Sequence, residues 1–168
     1  MIPFASGSVL ALNTLADGSA GVPSLLGFGS SNSGPDNLGP TIDLTSNGAT
    51  LNFAFSLSNS GTVTSIAAFF SLSDPLTIVG TTITISAQLY ESTTLDNIFT
   101  PLAGSTVTLA PAFTGTPATG DSSSVLATGL SIPVTAGSRL LMVISATAAG
   151  ASLANSLSGY ASAGITID

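Results

Sequence analysis

Apolar side chains recur at every second position over several stretches of this chain. Leu51, Phe53, Phe55 and Leu57 alternate with Thr50, Asn52, Ala54 and Ser56, and Ile83, Ile85, Ala87 and Leu89 alternate with Thr82, Thr84, Ser86 and Gln88. A period of two sends successive side chains to opposite faces of an extended backbone, so both stretches predict half-buried strands. Val107 and Leu109, flanked by Thr106 and Thr108, predict a third. The residues are β-branched and aromatic, as a pleated surface favours.

Two stretches depart from clean alternation. Residues 63–70 (Val-Thr-Ser-Ile-Ala-Ala-Phe-Phe) and 140–144 (Leu-Leu-Met-Val-Ile) carry large apolar groups on both faces. A strand that is apolar on both faces has to be covered on both. The opposing sheet of a sandwich supplies one cover. No helical pattern supplies the other, and another copy of the chain is the economical answer, since contiguous apolar patches on monomers are uncommon. Val63, Ile66, Phe69, Phe70, Leu140, Leu141, Met142 and Val143 are therefore the expected residues of the core and of contacts between copies. Tyr160 joins them from a last predicted strand over 159–167, whose small residues suit close approach to a neighbouring backbone.

Turn signals punctuate these runs: Ser33-Gly34-Pro35-Asp36-Asn37, Asn47-Gly48, Asn59-Ser60-Gly61, Asp74-Pro75, Thr114-Gly115-Thr116-Pro117 and Thr119-Gly120-Asp121. Asn47-Gly48 has the residues of a two-residue hairpin loop, because both tolerate positive φ. No convincing helix is present; Gly18 interrupts 12–20, and Gly150 with several serines interrupts 146–157. About ten to twelve short antiparallel strands separated by turns predict an all-β sandwich or barrel. A single jelly-roll domain over 1–168 suits the length best.

Composition sharpens this picture. The chain has no lysine, histidine, cysteine or tryptophan, and Arg139 is its one basic residue. Charged residues make up 5% of it, against about 25% in ordinary domains, while 44% is hydrophobic and the mean hydropathy is +0.62. Net charge is −7, so nucleic acid and anionic membrane surfaces find almost no electrostatic attraction here. No uninterrupted apolar run reaches the ~20 residues of a spanning helix. The start, Met1 to Gly7, has neither the basic nor the long apolar region of a signal peptide.

The same composition removes most catalytic chemistry. Without histidine or cysteine there is no Ser-His-Asp or thiol arrangement, and without lysine no Schiff base. Carboxylate chemistry of the glycosidase type remains, but the eight acids, Asp17, Asp36, Asp43, Asp74, Glu91, Asp96, Asp121 and Asp168, are scattered singly, mostly beside Gly, Pro, Asn or Ser. No pair stands out, and the expectation is a protein that is not an enzyme. Asp36, Asp74, Asp96 and Asp121 are oxygen donors of the kind calcium takes, but no Asp-x-Asp-x-Asp loop accompanies them, so no metal or cofactor is expected. Arg139, opening the 140–144 run, reads either as half of an ion pair, even across to a neighbouring chain, or as a solvated strand end.

Several strings point to a family. Ile2-Pro3-Phe4-Ala5-Ser6-Gly7, Leu26-Gly27-Phe28-Gly29, Ile66-Ala67-Ala68-Phe69-Phe70-Ser71 and Ala87-Gln88-Leu89-Tyr90, with residues 104–111 and 159–165, together resemble the C-terminal domain of collagen-like exosporium glycoproteins of the BclA/BclB type, nearer to the BclB kind. The resemblance runs in order over nearly the whole chain. It implies a TNF/C1q-like jelly roll that assembles as a homotrimer, ends a collagen-like stalk lying N-terminal to it, and projects from the bacterial spore surface. It carries no catalytic motif. The chain departs from the family in having no Gly-X-Y tract, so the stalk is expected outside this sequence. An adhesin or lectin-like head, binding a surface or host ligand through loops near Asp36 or Asp121, is the alternative.

Overall fold

The computed structural model describes residues 1–45 and 53–168. The Asn47-Gly48 turn and Thr50, Leu51 and Asn52 of the first predicted strand lie outside the described residues. Among the described residues, fourteen strands run in the order β1 (Ile2–Ala5), β2 (Leu10–Asn13), β3 (Ser24–Leu26), β4 (Ser31–Ser33), β5 (Ile42–Asp43), β6 (Phe55–Ser56) and β7 (Gly61–Leu72). They continue as β8 (Ile78–Ser92), β9 (Ile98–Pro101), β10 (Val107–Thr108), β11 (Phe113–Gly115), β12 (Ser122–Val134), β13 (Arg139–Gly150) and β14 (Ser156–Ile167). The count exceeds the expected one because short two- to four-residue strands at the sheet margins carry too few residues to show a period.

Two sheets result. A five-stranded sheet has the order β1-β14-β7-β12, with β2 also paired to β14. A nine-stranded sheet has the order β4-β3-β13-β8-β9-β5, with β10 and β11 on β8 and β6 on β13. Both are antiparallel throughout. The long strands alternate between sheets along the chain: β7 in the first, β8 in the second, β12 in the first, β13 in the second, β14 in the first. The fold is thus an all-β, two-sheet sandwich of jelly-roll-like arrangement, held by long-range pairs such as Ala68 with Ala163.

The inner faces enclose the main core. Val63, Ile66, Phe70 and Leu72 of β7 meet Ile83, Ile85 and Leu89 of β8 and Leu140, Met142 and Ile144 of β13, all of them buried. Removing one such side chain from water contributes roughly 1.5–3 kcal/mol. A second apolar layer lies on the far side of the nine-stranded sheet: Leu25, Tyr90, Phe99, Leu141 and Val143 pack with Ile42 and Leu44, and Leu38, Phe53 and Ala54 close over them. The cover that the sequence led us to expect from another copy over 140–144 is supplied by the chain itself. The segment around β5 folds back across β13, too irregular in sequence to announce itself.

Strand β12 is a further departure, since nothing in Ser-Ser-Ser-Val-Leu-Ala-Thr-Gly-Leu-Ser-Ile-Pro-Val marked it beforehand. Its inward positions are filled by small or medium groups, Ser123, Val125 and Ala127, so the period is weak. The predicted 159–167 strand is present as β14, and its first glycine has a packing reason. A Cβ on Gly159 would lie 2.2 Å from the Ser71 carbonyl oxygen and 2.7 Å from Cζ of Phe70. Gly159→Ala is expected to lower stability by about 1–3 kcal/mol, the usual cost of overpacking. A thermal melt checks this, and an unchanged Tm would show that β14 and β7 can part at no cost.

Candidate interaction surface

The two sheets differ in what their outer faces present. The chain covers the nine-stranded sheet itself around Tyr90, Leu141 and Val143, and leaves the polar end with Thr82 and Thr147 in solvent. On the five-stranded sheet, alternation turns Ala67, Phe69 and Ser71 of β7, Tyr160, Ser162 and Gly164 of β14, and Ser124 and Leu126 of β12 outward. The registers line these up across the strands. Pro3, Gly164, Ala67 and Leu126 form one row, and Ala5, Ser162, Phe69 and Ser124 the next. Phe69 is 41% exposed, Tyr160 49% and Leu126 70%.

The strands of this sheet bring no charged residue of their own, and carboxylates reach it only at its margins, where Asp74 accepts from Ser158 of β14 and Asp168 from Thr64 of β7. None of β1, β2, β7, β12 and β14 contains an aspartate, glutamate or arginine. The other sheet carries Asp43, Glu91 and Arg139. Depletion of charge together with exposed aromatic side chains is the compositional mark of the centre of a protein–protein contact. Both edges are blunted against strand addition. Pro3 sits in β1, while Gly129 at φ 72° and a register break between Thr128 and Ile132 bend β12, which then carries Pro133.

The expected contact residues fall into separate places. Val63, Ile66 and Phe70 point between the sheets, as do Leu140 and Met142. Leu141 and Val143 lie under the residues 38–44 and 53–54. Phe69 and Tyr160 stand on the open face. Leu126 belongs with them and was missed; its one signal is a leucine in the outward series Ser122, Ser124, Thr128 of a strand that the sequence did not mark.

The acids do local work. Asp96 accepts hydrogen bonds from Thr94 Oγ1 at 2.6 Å, the Ile98 amide at 2.9 Å and Ser92 Oγ at 2.8 Å. These bonds, that of Thr94 foremost, hold its carboxyl below the ordinary value of 3.8. Asp17 is lowered by the Ser19 hydroxyl and amide, and Asp74 by Ser73 and then Ser158. Asp121 accepts from the Ala118 amide at 2.8 Å, and Asp168 from Thr64 Oγ1 at 2.9 Å. Arg139 reaches across its sheet: Nη1 donates to the Asp96 carbonyl oxygen at 2.6 Å and to Asn97 Oδ1 at 3.1 Å, and its guanidinium lies 5.2 Å from the centre of the Phe99 ring. It clamps the β8–β9 hairpin within its own chain. Among the described residues no group of three Asp or Glu gathers as a metal site would need.

An open groove of about 510 Å³ lies beside β11, lined by Pro111, Phe113, Thr114, Thr116, Pro117 and Asp121. A smaller dip of about 140 Å³ lies on the outer face of the five-stranded sheet, formed by Ala67, Ala68, Phe69, Ser162, Ala163 and Gly164. No protein-family model matches the chain, and no curated protein matches it.

The lowered carboxyl of Asp96 has a pH consequence. A group whose folded pKa is depressed contributes stability that is complete above its unfolded value and is lost as pH falls through the folded one. Asp96→Asn is therefore expected to lower Tm at pH 7, and the gap to the parent should close as pH drops below 3.8. Melts across that range test it; a gap independent of pH would show that the charge of Asp96 does not hold the hairpin.

Proposed function

We propose that this chain is a structural, non-enzymatic head domain that trimerises with two further copies through the outer face of its five-stranded sheet. The observation that carries the reading is that face: three large apolar side chains, Phe69, Leu126 and Tyr160, stand exposed on strands without a single carboxylate or guanidinium. In a chain of net charge −7, it is a surface on which like copies meet without repulsion. Obligate interfaces of ~2,000 Å² or more are apolar in this way.

The resemblance to collagen-like exosporium glycoproteins supports the rest of the proposal. On it, the head is a TNF/C1q-like jelly roll at the tip of a collagen-like stalk, on the spore's exosporium or an appendage, extracellular, with the stalk N-terminal to this sequence. Ile2 pairs with Ile165 beside the proposed contact face, so a stalk joined ahead of β1 brings three chains together where the heads meet. Light scattering at micromolar concentration is expected to return a trimer mass, and Phe69→Glu, which places a carboxylate in the middle of the face, a monomer mass. A monomeric parent protein overturns the proposal.

A second reading, an adhesin or lectin-like head, rests on the groove beside Asp121. It expects glycan-array or host-protein binding that Asp121→Ala abolishes while the mass in solution is unchanged; binding that survives this substitution removes the groove from consideration.

A further inference from the structure

The contact face carries both a projection and a recess. Leu126, 70% exposed, projects from the edge strand β12. The recess is the dip beside the Phe69 ring, about 140 Å³ in volume, floored by Ala67 and Gly164 and bounded by Ser162. An apolar cavity of about 150 Å³ takes a benzene-sized group, so the dip has room for a leucine side chain. The recess exists because position 164 has no side chain: a Cβ there would find its nearest neighbour, the Ile2 carbonyl oxygen, at 3.9 Å. Unlike Gly159, Gly164 is not required by packing inside the protomer, and its φ is not positive.

Resting on the assembly reading above, we propose that Leu126 of one copy seats in the Gly164 dip of the next. The occupant is a second copy because both halves match in chemistry: an uncharged, apolar knob and an uncharged, mostly apolar recess, on a chain whose other surfaces bear its net charge of −7. A charged partner gains nothing on this face, whereas a copy brings the same neutral surface. Knob and recess are different places on the protomer. Leu126 and Gly164 both pair with Ala67, from opposite sides, so they stand two strands apart. Repeated head-to-tail about a threefold axis, this contact closes a ring of three, as the assembly reading requires.

The chain's lack of cysteine makes a direct test clean. In the full chain, Leu126→Cys and Ser162→Cys are introduced together. Within one protomer these sites are two strands, about 10 Å, apart, beyond the ~7 Å reach of a disulfide. Oxidation of the double variant is expected to give a covalent trimer on a non-reducing gel, and neither single variant any linked species. Gly164→Val, whose Cβ would lie no closer than 3.9 Å to another residue of the protomer, is expected to weaken assembly at least tenfold with its β-sheet circular dichroism intact. An assembled double variant that does not cross-link, a linked dimer from Leu126→Cys alone, or a Gly164→Val protein that assembles like the parent overturns the knob-and-recess contact and leaves the assembly reading standing. A monomeric parent overturns both.

Discussion

Strand β13 has to be dry on two sides, and the rest of the architecture follows from meeting that demand. Leu140, Met142 and Ile144 close the sandwich against β7 and β8, while Leu141 and Val143 need a second layer. The chain meets the need internally, laying Leu38, Ile42 and Leu44 with Phe53 and Ala54 over the far side of the nine-stranded sheet. With the apolar part of that sheet covered on both faces, the segments able to act as covers are used. The five-stranded sheet is left with one face in the core and one uncovered. The asymmetry between a closed and an open sheet is what distinguishes a surface available for assembly from the rest of the molecule.

Charge placement reinforces this asymmetry. Several of the few ionisable groups are bound into local turns or hairpins. Asp17, Asp74 and Asp96 accept from hydroxyls and amides of neighbouring residues, and Arg139 holds the carbonyl of Asp96 beneath its stack on Phe99. Solvation of the open sheet falls to serine and threonine hydroxyls. These are weaker barriers to association than charges, because they give up hydration at a fraction of the cost. A surface of Ser, Thr, Ala and Gly bearing three large apolar groups is one that water covers adequately and another protein covers better.

Much of this was legible in advance. The alternation of Ile83, Ile85, Ala87 and Leu89 marked the inner face of β8, and the two-sided runs at 63–70 and 140–144 marked the central strands. Absent histidine, cysteine and lysine narrowed the chemistry before any coordinates. The identity of the cover over Leu141 and Val143 was not legible, since a segment with Gly39, Pro40 and only scattered apolar residues has no period to read. Strand β12 escaped for a related reason: Ser123 and Ala127 occupy inward positions where a longer aliphatic group would have given the pattern away. With β12 unread, Leu126 passed as one more residue of a polar stretch.

Periodicity is a local property, and where it is strong, as in β8, it determined by itself that the chain forms a strand and which residues share a face; composition determined that charge would be scarce. Which faces look inward, at one another or at solvent is a relation between segments far apart in the chain. Gly164 and Leu126 are neighbours on one surface only because β14 and β12 both pair with β7, and Leu141 is covered only because 38–44 returns across β13. Those pairings are settled by the competition of all the chain's apolar faces for a limited amount of cover, which no single stretch of residues encodes.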